Sequence, residues 1–125
     1  MLQNSCTMIP YDDIDFEIKE LVKYINKVQG IETVESCCGH EEMPCQIYFR
    51  ADSIEDVTKF QYKYLYCNRD WRIVLQIGDI SIDNNQWDKP IFILESTVTD
   101  YKYNYLVINN LTFSMRMKDE AEVKN

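Results

Sequence analysis

The stretch Glu35-Ser36-Cys37-Cys38-Gly39-His40, followed by Cys45, holds three of the five cysteines, the one histidine and one of the three glycines of the chain. The glycine lets the backbone turn with positive φ and approach a ligand closely, while hydroxyl, thiol and imidazole supply donors and acceptors of several kinds. Such a loop suits a small polar ligand. Three other chemistries compete for the same residues. Free thiols can pack as small hydrophobes beside an imidazole that faces solvent. Cys37 or Cys38 with His40 and Cys45, completed by Cys67 or Cys6, is a donor set for zinc. Its spacing is unlike paired CxxC knuckles, and adjacent cysteines on a strand point to opposite sides. A thiolate nucleophile activated by His40 needs a special turn to bring near neighbours together, and no third group stands ready to orient the imidazole.

Charge for an anionic ligand has few sources, because the chain has only four arginines. Arg50 and Arg72 fall at polar positions of strand-like stretches, where either can make a bidentate contact to a phosphate or carboxylate. The competing reading is a surface cation paired with one of the many acidic residues. Tyr48, Trp71, Trp87 and Phe92 offer flat walls for a base, or else core. Glu95-Ser96 closes an apolar run and adds a polar pair at a strand terminus.

Elements that could position these groups follow from periodicity. Ile14, Ile18, Leu21, Val22, Ile25 and Val28 recur at spacings of three and four, which predicts an amphipathic helix over 12–28, with acidic residues at its start and Gly30 as its stop. Residues 31–35 and 45–51 read as a hairpin, with Ile47 and Phe49 facing a core and Gln46, Tyr48 and Arg50 facing away. Ser53-Ile54-Glu55-Asp56 resembles a capping box and starts a second helix that ends by Cys67. Residues 71–77 and 90–95 read as strands. The connection between them is rich in turn residues and holds Trp87 and a short strand candidate at Ile80–Ile82. Tyr101, Tyr105, Ile108, Leu111 and Met115 fit a closing helix, against the strand propensity of Tyr105-Leu106-Val107-Ile108. The charged tail after Met117 is expected to fray. The order α-β-β-α-β-β-α predicts a two-layer α+β domain over residues 1–125, a mainly antiparallel sheet with helices on one face.

The 125 residues carry 13 Lys and Arg against 21 Asp and Glu, a formal charge of −8. This field repels a long phosphate backbone, so an extended nucleic acid is not an expected partner. A compact anion in a local cationic pocket is still compatible. With 46% hydrophobic residues the chain is too apolar for disorder, yet no run approaches a membrane span of about 20 residues. The first residues lack a basic segment followed by an apolar one, so no secretory leader and a cytoplasmic location are expected. The odd cysteine count then reads as thiols rather than a disulfide framework. Two Ala and four Arg against abundant Ile, Asn, Lys and Tyr suggest an A/T-rich genome, that of a low-GC bacterium or its phage.

The stretch from Leu21 to His40, with Gln46-Ile47-Tyr48-Phe49-Arg50, resembles a group of small bacterial and phage proteins that carry a Glu-Ser-Cys-Cys-Gly-His loop between a helix-strand unit and an aromatic strand. Over about a third of the chain it is also similar to the wybutosine-synthesis tRNA methyltransferases, which use S-adenosylmethionine and carry a Ser-Cys-Ser-Gly-Arg loop. Here Cys38 replaces that family's second Ser and His40 its Arg. What the resemblance implies is a shared scaffold with a loop near a nucleotide-like ligand; activity does not follow from scaffold.

The leading expectation is therefore a binding protein rather than an enzyme, without a cofactor or metal, for a nucleotide-type anionic molecule. Glu35, Ser36, Cys37, Cys38, Gly39, His40, Tyr48, Arg50, Arg72, Glu95 and Ser96 are its candidate site. One use that suits a phage gene is to sequester a host nucleotide immune signal in the host cytoplasm. The alternatives are an S-adenosylmethionine-dependent RNA methyltransferase and an acidic inhibitor of a basic protein. A homodimer is reasonable because a small two-layer domain leaves a face or edge exposed.

Overall fold

Alternation and helical spacing resolve into eight elements in a computed structural model, which describes residues 16–76 and 91–124. In chain order they are α1 (Phe16–Asn26), β1 (Ile31–Cys37), β2 (Gln46–Ala51), α2 (Ile54–Tyr64), β3 (Trp71–Gln76), β4 (Ile91–Ser96), a single 3-10 turn (Tyr101–Tyr103) and α3 (Asn104–Lys124). This is an α+β arrangement, with the element order expected from periodicity. The beginning of the first helical pattern, Trp87 and the strand candidate at 80–82 lie outside the described residues, as does Cys6.

The four strands are antiparallel throughout, in the order β1-β2-β4-β3. Ile47 and Phe49 of β2 alternate strictly with half-buried Gln46, Tyr48 and Arg50, as a strand with one face on a core requires. Their cross-strand partners Leu94 and Phe92 continue the same face into β4, where Phe49 and Phe92 stack at 5.6 Å between centroids. Against this face pack Ile18, Leu21, Val22 and Ile25 of α1, Val57, Phe60 and Tyr64 of α2, and Val107, Ile108, Leu111 and Met115 of α3. Ring contact between Phe60 and Phe49, edge to face at 5.9 Å, locks α2 to the sheet.

Local signals explain the boundaries. Ser53 caps α2 by accepting from Asp56 N at 3.1 Å, while its hydroxyl donates to the Asp56 carboxylate, so Asp serves at the position where Glu or Gln is usual. After α1, Gly30 takes φ +81°, and a Cβ there would lie 2.3 Å from Asp56 Oδ2, so only glycine lets the chain pass beneath α2. The strand propensity of residues 105–108 loses to tertiary packing, since Val107 and Ile108 can bury together with Leu111 and Met115 only on a helix.

One expectation is corrected. The tail after Met117 stays helical to Lys124, because α2 anchors it. Tyr64 Oη donates to Asp119 Oδ1 at 2.8 Å, Lys63 pairs with Glu122, and Lys118 donates to the Lys63 carbonyl.

Candidate functional site

The residues singled out by sequence divide into two groups on opposite sides of the sheet. The first group forms a closed clasp. Gly39 has φ +93°, followed by His40 at 50° and Glu41 at 62°, a run of left-handed residues that folds the β1–β2 connection back on itself. The Gly39 carbonyl accepts from Glu42 N and Met43 N, and Gly39 N donates to Cys37 Sγ at 3.4 Å. Buried Ser96 accepts from Cys45 N at 2.9 Å and donates to Asn104 Oδ1 at 2.9 Å, and Asn104 Nδ2 donates to the Met43 carbonyl at 2.8 Å. A Cβ on residue 39 would meet that same carbonyl at 2.2 Å. Ser96 and Asn104 thus tie the connection to the end of β4 and the start of α3.

Within this clasp Cys38 is fully buried in the main core, with Sγ 3.6 Å from His40 Nδ1 and 4.0 Å from Tyr105 Oη. Cys37 is also buried but stands outside that cluster, on the opposite side, as strand alternation anticipates. The four described cysteines are free thiols, and among the described residues no group of three or more His, Cys, Asp or Glu is placed to hold a metal ion. Ser36 is buried on the helix-facing side. The loop therefore spends the backbone groups of Gly39, Glu42, Met43 and Cys45 on its own structure, where the sequence had suggested a cradle for a ligand.

The second group shares the sheet face turned away from the helices. Cross-strand register sets three rows on it. Glu32, Arg50, Ile91 and Gln76 form one end, Glu35, Tyr48, Ile93 and Val74 the middle, and Cys37, Gln46, Glu95 and Arg72 the other end. Two chemistries separate cleanly here. Arg72 donates from Nε and Nη2 to Glu95 Oε1 at 2.8 and 2.5 Å, and Gln46 Nε2 donates to Glu95 Oε2 at 2.7 Å. Both carboxylate oxygens are engaged, and Arg72 is the paired surface cation of the simpler reading.

Arg50 is different. It has no ion pair or hydrogen bond among the described residues, and its Nε is buried without an acceptor. Tyr48, two residues earlier, lies on the same face beside Ile93. Burial pushes the carboxyl of Glu35, the cross-strand neighbour of Tyr48, above its ordinary value. Of the aromatic residues considered as a wall for a base, Trp71 and Phe92 belong to the core and Tyr48 to this face.

A cleft of about 550 Å³ opens elsewhere, between the end of α1, α2 and the end of α3. Its floor is Phe60 and Tyr64, and its walls carry Lys27, Lys59, Lys63 and three carboxylates. Those carboxylates are used internally: Asp56 by Ser53, Asp119 by Tyr64, and Glu122 by Lys63. The cleft reads as the seam that fastens the helices together.

Sequence reasoning missed Asn104, Gln46 and Glu32. Gln46 was visible as the residue in phase with Tyr48 and Arg50. Asn104 left only the weak signal of an amide at a helix start. Comparisons with known protein families, with characterised proteins and with solved structures found no match to this chain. The functional reading rests on the geometry.

Proposed function

We propose that this chain binds a compact anionic molecule of nucleotide type on the helix-free face of its sheet and holds it without turnover. The observation that carries the reading is Arg50, a guanidinium with a buried Nε–H that has no acceptor among the described residues. Burying such a donor is costly unless a partner arrives, and a phosphate oxygen is the acceptor that best matches the planar fork. Tyr48 supplies a ring on which a base can lie, with Ile93 and Val74 as an apolar floor. The Arg72–Glu95–Gln46 bridge fences one end, and Glu32 and Glu35 line the β1 edge. Their negative charge disfavours an extended polyanion and confines phosphate to the neighbourhood of Arg50. Sequestration of a nucleotide signal is the use that fits such a site in a phage gene.

Titration calorimetry with cyclic dinucleotides and ADP-ribose derivatives tests the reading, with S-adenosylmethionine included as the ligand of the enzymatic alternative. Binding of at least one nucleotide is expected. Arg50→Gln should weaken it by about tenfold or more while the melting temperature is held, given about 1.5–3 kcal/mol for a hydrogen bond to a charged group. Absence of heat with every nucleotide, or unchanged affinity in Arg50→Gln, overturns it.

A further inference from the structure

The three helices bury apolar residues against the sheet, but α3 carries a second apolar face as well. Its inner face is Val107, Ile108, Leu111 and Met115, all buried. On the outside, Tyr103, Leu106, Phe113 and Met117 are 49, 55, 55 and 41% exposed, with exposed Asn110 between them. The spacing of three, four, three and four carries one stripe from Tyr103, at the end of the 3-10 turn, along α3 to Met117, the pattern of a two-helix seam. Exposed apolar residues scattered singly are ordinary, whereas four aligned along four turns, interrupted only by Asn110, mark a contact surface.

We propose that this stripe pairs with the same stripe of a second copy of the chain, the two α3 helices running antiparallel about a two-fold axis. Charge decides both the partner and the direction. Lys102, which pairs with Asp100 of its own chain at 3.5 Å in an exposed ion pair, lies at the start of the stripe, and exposed Glu120 lies just past its end. In an antiparallel pair Leu106 layers with the partner's Met117, Asn110 with the partner's Phe113, and Lys102 comes beside the partner's Glu120. A parallel pair would set Lys102 against Lys102 and Glu120 against Glu120, and would align the two helix dipoles unfavourably. The contact is isologous, so it closes at two copies and cannot propagate.

Tyr62 of α2 and Tyr66, two residues beyond its end, extend the surface. They are 72 and 68% exposed, lie 5.3 Å apart, and Tyr66 lines the same recess as Ser114 and Lys118 of α3. A seam of about four turns is short beside the roughly 800 Å² per partner of a standard interface, so association in the micromolar range is expected. Asn110 faces an aromatic ring across the seam and limits affinity, as a polar residue in such a position does.

Sedimentation velocity of the full chain from about 5 µM to about 0.5 mM tests this. The expected result is a monomer–dimer equilibrium that Phe113→Glu abolishes and Asn110→Leu tightens. Lys102→Glu should weaken the dimer, and Lys102→Glu with Glu120→Lys should restore it. These positions are exposed, so circular dichroism should show each variant folded. A wild-type monomer across the whole range overturns the proposal, as does a dimer whose affinity is unchanged in Phe113→Glu.

Discussion

Asn104 illustrates how a residue with no catalytic character can decide the shape of a candidate site. Its amide is fully buried and joins Ser96 to the Met43 carbonyl, so Asn104→Ala takes one hydrogen bond from each of two buried polar partners. A loss of about 2 kcal/mol in urea unfolding is expected, and release of the 39–45 connection should appear as faster amide exchange there. Glu35 yields a prediction of opposite sign. Because burial raises its carboxyl value, the folded state holds the proton more tightly than the unfolded chain. Stability therefore falls as pH rises from the ordinary value of about 4.5 towards the raised one, and stays lowered above it. Glu35→Gln should melt higher than wild type at pH 7 and match it in acid, and a difference independent of pH would refute the assignment. The sequence made Arg50 and Tyr48 legible, because strand periodicity alone puts them on one face. It could not distinguish Arg50 from Arg72, since the Glu95 that neutralises Arg72 arrives from a strand 23 residues away.

Among the elements, propensity and packing pull apart in α3. Residues 105–108 favour strand locally, and the burial of Val107 and Ile108 against α1 and the sheet overrides that preference. The tail departs from its expected fraying for a related reason: its charges resemble those of a solvated end, but Asp119 and Glu122 have partners on α2 that sequence cannot place beside them. Removing residues 118–125 should accordingly lower the melting temperature by several degrees, rather than leaving it unchanged as loss of a frayed end would. The seam also titrates. Burial raises the Tyr64 hydroxyl, and the hydrogen bond to Glu122 raises Lys63, so both hold protons more tightly when folded. Their contribution is complete below the ordinary values of 10.0 and 10.5 and is lost as pH rises past them. Alkaline melting curves should show this loss, and Tyr64→Phe should flatten it.

At the level of the whole molecule, an acidic exterior coexists with a cation on one sheet face, and the described thiols are divided between buried and exposed positions. Cys37, Cys38 and Cys45 are buried while Cys67 is exposed. In the native protein Cys67 should react quickly with a thiol reagent and those three only on unfolding, as mapped by peptide mass spectrometry; rapid native labelling of Cys38 would contradict the core assignment. No helix among the described residues is long and apolar enough to cross a membrane. The strand order has a consequence for how the molecule comes together. β1 with β2, and β3 with β4, can each close as neighbours in the chain, but the central pairing of β2 with β4 joins groups as far apart as Gln46 and Glu95, 49 residues distant. Loop closure over that distance opposes the step until Phe49 and Phe92 stack and reward it. Folding should thus wait on the meeting of two hairpins, and during synthesis Phe49 must lack its stacking partner Phe92 until the second hairpin has left the ribosome.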